Sequence, residues 1–347
     1  MNNTPPAVSI IIPCCNEKDH IEACVCSILA QEPLPGSSEI IVADGMSDDG
    51  TRDILKRLGQ EDARLRVVDN PGRIVSTGLN TAIGAAQGSI LLRMDAHTEY
   101  APDYVRQCLA VLQETGADNV GGPWVAKGTG PLSRAVAAAF QSQFSTGGAR
   151  GHDPNYEGVV DTVYLGSWPR TVFDRIGLFD EELVRNQDDD FNLRLTQAGG
   201  TVWQSPRIKS WYRPRDSLRA LFQQYRQYGY WRVRVIQKHR RLTAVRHLVP
   251  GGFVLLVLGL PLVAVWWPPA AWGWLGLVGL YTLSAVVASL LAAACQGWTL
   301  LPLLPLVFAC YHFAYGYGFL WGLWDFVVLR HGPRRAYTKL TRTLLSN

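Results

Sequence analysis

The sequence predicts a doubly wound α/β sheet followed by an α-helical membrane region, and three observations predict it. Short apolar strands alternate with amphipathic helices through the first part of the chain. Polar groups stand directly after the strand ends. From Leu248 to Leu329 the chain is almost free of charge. Parallel strands buried on both faces read as β-branched runs, and strand–helix alternation at this spacing joins them in one sheet. Of 347 residues, 48% are hydrophobic and 18% charged, with 12 Trp. That is apolar for a wholly soluble enzyme, and the surplus lies in the C-terminal region.

Val8-Ser9-Ile10-Ile11-Ile12-Pro13 is the first strand, and His20 to Gln31 carries apolar residues at helical spacing. Glu39 to Asp44 is the second strand, and Ser47 to Leu58 a helix opening on Ser and Asp caps. Leu65–Val68 and Ser89–Met94 follow as strands, with a helix over Thr77 to Ala86 between them. Beyond Asn119 the pattern loosens. Gly121-Gly122-Pro123-Trp124 and the Gly-rich stretch from Phe144 to Gly158 read as a mobile loop over a site. Val159–Leu165 is a strand and Arg170–Ile176 a short helix. Asp188 to Ala198 is a helix stopped by Gly199-Gly200, and Thr201–Trp203 a strand. The chain is expected to divide into an α/β domain (1–215), an amphipathic interfacial helix with a basic linker (216–246), a transmembrane helical region of two to three spans (247–329) and a basic tail (330–347).

Leu248–Trp267, Ala271–Ala294 and Leu300–Trp324 are each long enough to cross a bilayer. Asp216 to Arg241 mixes aromatic and aliphatic residues with Arg and Lys, as in a helix lying at the interface. Basic residues cluster before the apolar region (Arg232, Arg234, Lys238, His239, Arg240, Arg241, Arg246) and after it (Arg330, Arg334, Arg335, Lys339, Arg342). Such flanks mark sides that face anionic lipid, so the net charge of +4 needs no nucleic-acid partner. Three crossings would place the two flanks on opposite sides, against the positive-inside rule. Either one segment is re-entrant or interfacial, or the rule is broken. Seven scattered Cys without a CxxC pair fit a reducing compartment. No apolar leader precedes the first strand, so the expected location is a multi-pass inner-membrane protein with its catalytic domain in the cytoplasm.

In doubly wound sheets ligands sit beyond the carboxyl ends of the strands. The ends here are Pro13-Cys14-Cys15-Asn16-Glu17, Asp44-Gly45 and Asp95-Ala96-His97. Asp44 can accept an imide N–H or bind a ribose hydroxyl, or serve as an ordinary turn residue. Asp95 and His97, two apart in extended geometry, can face one ion, or form a hydrogen-bonded surface pair. A carboxylate with an imidazole suits Mn²⁺ or Mg²⁺ shared with substrate phosphates. Gln187-Asp188-Asp189-Asp190-Phe191 opens a helix, where carboxylates complement the dipole. Three in a row exceed what a cap needs, and their repulsion would raise at least one pKa, as suits a general base. Asp190 and Arg194 are four apart and can pair, which leaves Asp188 the freer candidate.

The ordered set of Val8–Pro13 with Asn16-Glu17, Ile41–Gly45 with Asp48, Gly50 and Thr51, Asp95-Ala96-His97, Gly177-Leu178-Phe179-Asp180-Glu181 and Gln187–Leu195 resembles the family 2 glycosyltransferases. With the apolar tail, it is most similar to their succinoglycan-type exopolysaccharide glucosyltransferases. The resemblance implies a GT-A fold, an inverting mechanism and a UDP-sugar donor. It implies Pro13, Asn16, Glu17, Asp44, Arg73, Asn80 and Asp95 on the donor side, and Asp95 with His97 on a Mn²⁺ or Mg²⁺ ion. Asp188 takes the base position, with Asp189 beside it. The sequence departs from the family pattern in having His97 where a second Asp stands, and Gln187 where a Glu stands.

The function implied is transfer of a hexose, glucose foremost, to a lipid-linked (polyprenyl diphosphate) saccharide for a surface polysaccharide, with membrane lipids as the further partner. Transfer directly to polyprenyl phosphate is the neighbouring reading. A catalytically silent sugar-nucleotide-binding scaffold is the reading from another class, and it conflicts with the presence of both Asp95 and Asp188.

Overall fold

The computed structural model describes residues 6–33, 36–242 and 244–339; Arg342 and the rest of the basic tail beyond Lys339 lie outside them. In chain order the elements begin β1 (Val8–Cys14), α1 (Ile21–Leu29), β2 (Ser38–Asp44), α2 (Thr51–Glu61), β3 (Leu65–Asp69), α3 (Val75–Ala85), β4 (Ile90–Arg93) and β5 (Thr98–Tyr100). Next come α4 (Tyr104–Thr115), β6 (Asn119–Gly122), α5 (Pro131–Phe140), α6 (Gln143–Thr146), β7 (Gly158–Val159), β8 (Tyr164–Pro169), α7 (Thr171–Ile176), α8 (Gln187–Gln197), β9 (Val202–Gln204) and β10 (Ser210–Tyr212). The chain continues through α9 (Leu218–His239), α10 (Val249–Ala264), α11 (Pro269–Gln296), α12 (Leu304–Gly322), a π-helical turn (Leu323–Val328) and α13 (Arg335–Thr338). These fall into two compact units, Met1–Val125 with Arg150–Arg213, and Ala126–Ala149 with Pro214–Asn347.

The first unit is built on an eight-stranded mixed sheet in the order β3-β2-β1-β4-β8-β6-β9-β7, beside a two-stranded pair of β5 and β10. β3, β2, β1 and β4 are parallel neighbours, and β8 is antiparallel to both β4 and β6. Ile10, Ile11 and Ile12 of β1 and Ile40, Ile41 and Val42 of β2 are all buried, as strands covered on both faces require. Pro13 is tolerated in this central strand because the last rung with β4 pairs Ile11 with Arg93, so its missing N–H costs no ladder bond. Trp168, Phe173, Phe179 and Phe191 form one aromatic cluster of the core, with Phe179 stacked on Phe191 at 4.5 Å. Each such buried ring contributes roughly 1.5–3 kcal/mol, and together they seat α8 under the Gly177–Glu181 segment.

Four expectations need revision. The one strand read over Val159–Leu165 is the end of β7 and the start of β8, with residues 160–163 outside both. α2 starts at Thr51 after a left-handed Gly50 (φ 101°), later than Ser47, because Ser47, Asp48 and Asp49 use their side chains on the β1 end instead. The Gly-rich stretch from Phe144 is not one loop: it holds α6 and a 3-10 turn at Arg150–His152. Asp95-Ala96-His97 is not extended. β4 ends at Arg93, and the Thr98 N–H closes a turn on the Asp95 carbonyl at 3.2 Å.

The second unit is helical. α10, with the turn before it, and α11 are the two described helices long and apolar enough to cross a membrane, spanning Val245–Ala264 and Pro269–Gln296. Their leucines, valines and tryptophans are largely exposed, among them Leu258, Leu262, Trp266, Trp272 and Leu291. α9, expected to lie in the interface, buries Tyr230, Trp231, Val233 and Val235 within the protein. It packs along α12. The Trp231 indole donates to the Tyr337 carbonyl at 3.0 Å and Gln227 donates to that of Lys339 at 2.6 Å. Buried Asp325 accepts from the Tyr230 hydroxyl (2.9 Å) and from Arg334 Nε (2.7 Å). These bonds strap residues 334–339 back onto α9.

Candidate active site

Because β1, β2 and β4 are adjacent and parallel, the segments that follow them leave on one edge of the sheet. The β1 and β2 ends are tied to each other. The Asn16 N–H donates to Ser47 Oγ (2.8 Å), and the Asn16 side chain exchanges two bonds of 3.0 Å with Asp48. The Glu17 N–H donates to Thr51 Oγ1 (3.0 Å) and the Lys18 N–H to Asp49 Oδ2 (3.1 Å). Asn16 and Met46 take left-handed backbone conformations to make these turns (φ 55° and 57°). Slight burial works to raise the Asp49 carboxyl, but the bonds from Thr51 and Lys18 outweigh it and hold it below the ordinary range.

Asp44 is wholly buried at the base of this edge. Its carboxylate accepts the Ser47 N–H (3.1 Å) and hydroxyl (2.6 Å) and faces Arg52 Nη1 at 3.3 Å. Turn chemistry and a candidate binding position thus coincide in one residue, with Ser47 and Arg52 fixing the carboxylate's direction.

The centre of the site is a residue that the sequence reading passed over. Arg93, 6% exposed, donates through Nε and Nη2 to the two carboxylate oxygens of Asp95 (3.0 and 3.2 Å), and through Nη1 to Asp188 Oδ1 (2.6 Å). One guanidinium therefore gathers the candidate metal ligand and the candidate base. Burial opposes the guanidinium charge, but the Asp188 and Asp95 carboxylates outweigh it and hold Arg93 more firmly protonated than usual. Burial likewise raises the Asp188 carboxyl; Arg93 pulls it down, Asp95 and Asp189 push it up, and the net shift is upward. The signal was present in the chain. Arg93 is the one charge in the strand Ile90-Leu91-Leu92-Arg93-Met94, two residues before Asp95, and an ion inside a buried strand needs partners.

α8 delivers the acidic triplet. Asn186 turns left-handed (φ 62°) and the helix starts at Gln187, so Asp188, Asp189 and Asp190 occupy its first turn. Asp190 is buried and pairs with Arg194 at 3.0 Å, as their spacing predicts. Arg194 also donates to the carbonyls of Ile176 and Leu178, which binds α8 to the preceding segment. Asp188 points instead to Arg93. Asp189 lies beside it, partly exposed.

His97 presents Nδ1 to Glu17 Oε1 at 3.4 Å and lies edge-on to Tyr212. Trp124 stacks on His152 and on Tyr164 and lies edge-on to Tyr212. The Tyr100 hydroxyl accepts the Asp95 N–H at 2.6 Å and donates to the Asp95 carbonyl at 3.1 Å, gripping the turn. Among the described residues no three His, Cys, Asp or Glu side chains form a closed metal cage. Asp95 and His97 are donor types that a divalent ion accepts together with substrate oxygens. The turn at Asp95, however, removes the extended geometry expected to aim both at one ion, both Asp95 oxygens accept from Arg93, and His97 Nδ1 faces Glu17.

Arg73 and Asn80 stand apart from this centre. Arg73 is exposed, left-handed (φ 61°) and close enough to lower the Cys15 thiol's otherwise raised pKa. Burial is the main cause that raises that thiol. Asn80 is buried and spends its amide on the segment before α8: it donates to the Phe179 carbonyl and Glu181, and accepts the Phe179 N–H.

Residues 9–174 match the family model described as Glycosyl transferase family 2. The chain is 31% identical over 338 residues to the succinoglycan biosynthesis protein ExoA of Rhizobium meliloti (strain 1021), covering 91% of this chain and 95% of that one. It is 25% identical over 324 residues to a dolichyl N-acetyl-α-D-glucosaminyl phosphate 3-β-D-2,3-diacetamido-2,3-dideoxy-β-D-glucuronosyltransferase of Methanococcus voltae, covering 91% and 97%. Among solved structures, the mannosyltransferase PcManGT of Pyrobaculum calidifontis, in complex with GDP-Man and Mn²⁺, superposes with a TM-score of 0.57 at 19% identity, over 92% of this chain and 88% of that one.

Proposed function

The chain belongs to glycosyl transferase family 2 and has the GT-A fold, and from that footing we propose that it is an inverting hexosyltransferase. It moves a hexose, glucose foremost, from a UDP-sugar to a polyprenyl-diphosphate-linked saccharide at the cytoplasmic face of the inner membrane. The product feeds a surface polysaccharide. The observation that carries this reading is the Arg93 clamp, which unites Asp95 with Asp188 at the edge where a nucleotide-sugar binds.

Asp44, directed by Ser47 and Arg52, receives the base of the donor, and the tied loops at Pro13, Asn16 and Glu17 form the floor of the nucleotide cleft. Asp95 and His97 would hold a Mn²⁺ or Mg²⁺ ion, which when bound would supply Lewis-acid neutralisation of the charge on the leaving group. Asp188 accepts the proton of the acceptor hydroxyl. The hydroxyl oxygen bonds to the anomeric carbon as its bond to the nucleoside diphosphate breaks on the opposite face, which inverts the centre. The raised Asp188 pKa brings the base closer to the operating pH. Arg93 orients it throughout. Asp189 lines the acceptor side, Arg73 serves the donor side from beside Cys15 at the β1 end, and Asn80 positions α8 through the Phe179–Glu181 segment.

The relatives support the reading. One is named for succinoglycan biosynthesis, another for transfer to a sugar on dolichyl phosphate, and the solved neighbour holds a nucleotide-sugar with Mn²⁺. The second name favours a lipid-linked saccharide over bare polyprenyl phosphate as acceptor. The test incubates membranes carrying the full chain with radiolabelled UDP-sugars, Mn²⁺ or Mg²⁺, and either acceptor. Metal-dependent label in lipid-linked saccharide, lost in Asp188→Asn, is expected. Full activity in Asp188→Asn, or no incorporation from any donor, refutes the mechanism.

A further inference from the structure

We infer that the chain crosses the membrane twice, through the hairpin of α10 and α11, while α12 returns to the starting side and never crosses. The inference concerns the second unit alone and stands whether or not the proposed sugar transfer is correct. Three segments are apolar enough in sequence to raise the question, and side chains at both ends of the apolar region answer it.

The first argument is one of parity. α9 precedes the apolar region and carries Arg219, Arg226, Arg232, Arg234 and Lys238, too many charges for a bilayer core. Residues after α12 touch that same helix. Tyr337 stacks on Tyr230 at 3.9 Å, and its carbonyl and that of Lys339 accept from Trp231 and Gln227. The chain therefore leaves from α9 and returns to α9, which requires an even number of crossings among three candidates.

The second argument says which candidate stays out. α12 lies against α9 with backbones so close that a Cβ on Gly318 would strike the Arg226 carbonyl, and one on Gly229 the Tyr315 carbonyl. Its other side meets the 126–149 segment of the same unit: the Tyr311 hydroxyl donates to the Val136 carbonyl and His312 Nε2 meets the Phe144 carbonyl at 2.9 Å. α5 in that segment has 10 residues, about 15 Å, half a bilayer core. A helix held between elements that cannot cross does not cross either. Phe308, Tyr311, Ala314 and Phe319 of α12 are buried in protein, where lipid-facing residues would be exposed.

α10 and α11 meet these elements over one end only, where a Cβ on Gly316 would strike the Pro250 carbonyl and Tyr281 lies 6.0 Å from Phe144. Beyond the stacked pair Phe253 and Tyr281 their side chains towards the tip are largely exposed. α10 has 16 residues, preceded by the turn that completes its 20-residue span, and α11 has 28; the helices are about 24 and 42 Å long, against a core of about 30 Å. Trp266, Trp267 and Trp272 are exposed at the tip joining them, where an aromatic belt belongs. The tip sequence Trp266-Trp267-Pro268-Pro269-Ala270-Ala271-Trp272 carries no charge. With two crossings, Arg232, Arg234, Arg334 and Arg335 all lie on the starting side, and the conflict with the positive-inside rule disappears.

The experiment labels the full chain in its host membrane with a membrane-impermeant maleimide, before and after the cells are opened. Pro268→Cys lies in the exposed tip turn, and Gly332→Cys follows α12 where an added Cβ meets nothing within 4 Å. The parent chain measures the signal of the native thiols. Pro268→Cys is expected to label in intact cells, and Gly332→Cys only after opening. Labelling of Gly332→Cys in intact cells means three crossings; labelling of Pro268→Cys only after opening means none. Either result overturns the inference. A C-terminal epitope on the otherwise unaltered chain serves as the second measurement: external protease should spare it in intact spheroplasts, and its loss there would also refute two crossings.

Discussion

Replacing Arg93 by Met removes the guanidinium that Asp95 and Asp188 share while keeping much of its volume. Arg93 and Asp95 are 6% and 14% exposed and Asp188 33%, so most of the ion cluster is shielded from water. Breaking a buried ion pair from one side costs about 3–5 kcal/mol; the partial exposure of Asp188 argues for the lower end. A loss of about 3 kcal/mol lowers Tm by roughly 4 °C in a cooperative unit of this size. The pH dependence follows from the direction of the shift. Burial already raises the Asp188 carboxyl and Arg93 pulls it down, so the variant carries it higher still. A carboxyl raised in the folded state favours folding when protonated, and that contribution is lost as pH rises through the folded pKa. Thermal shift of the detergent-solubilised full chain should therefore show a small deficit near about pH 5 that widens towards about pH 8. The acid limb of the pH–rate profile should move upward, by about one unit for each ~1.4 kcal/mol of interaction lost. A Tm deficit that does not depend on pH, or an acid limb that stays put, would refute the clamp as the link between Asp95 and Asp188.

Asp188→Asn should lose about 10²–10⁴ in kcat and keep the fold, whereas Asp190→Asn should lose stability and keep measurable transfer, since Asp190 serves Arg194 and the Ile176–Leu178 segment; the opposite pattern would exchange their roles. Ser47→Ala strips the Asn16 N–H of its acceptor and Asp44 of a donor, costing about 1–3 kcal/mol. It should raise KM for the donor while kcat changes little, as steady-state kinetics with varied donor will read. Chelation of divalent ions should abolish transfer, and added Mn²⁺ or Mg²⁺ should restore it. Activity unaffected by chelator would exclude a metal held by Asp95 and His97.

The strands were legible because a buried parallel sheet needs runs such as Ile10-Ile11-Ile12 and Ile40-Ile41-Val42, and few other structures do. α8 was legible from its apolar spacing and Gly199-Gly200 stop, and its Asp190–Arg194 pair from a spacing of four. β6, β5 and β10 were not: Asn119–Gly122 carries two glycines, and the other two are three residues long and lack a flanking stop such as the Gly199-Gly200 that marks β9. The site divides in the same way. The types and order of Asn16, Asp44, Asp95 and Asp188 belong to the one-dimensional chain, so the family pattern could be seen there. What each carboxylate faces is a contact between residues far apart in sequence, such as Arg93 with Asp188, and no local period encodes it. The sequence by itself determined the sheet, the chemistry at its strand ends and the presence of a long apolar region. Only the tertiary structure decided that Arg93 joins the two acidic groups and that α12 belongs beside α9. Both are packing choices among charged and aromatic side chains, settled by which partner satisfies a buried group and not by hydrophobicity along the chain.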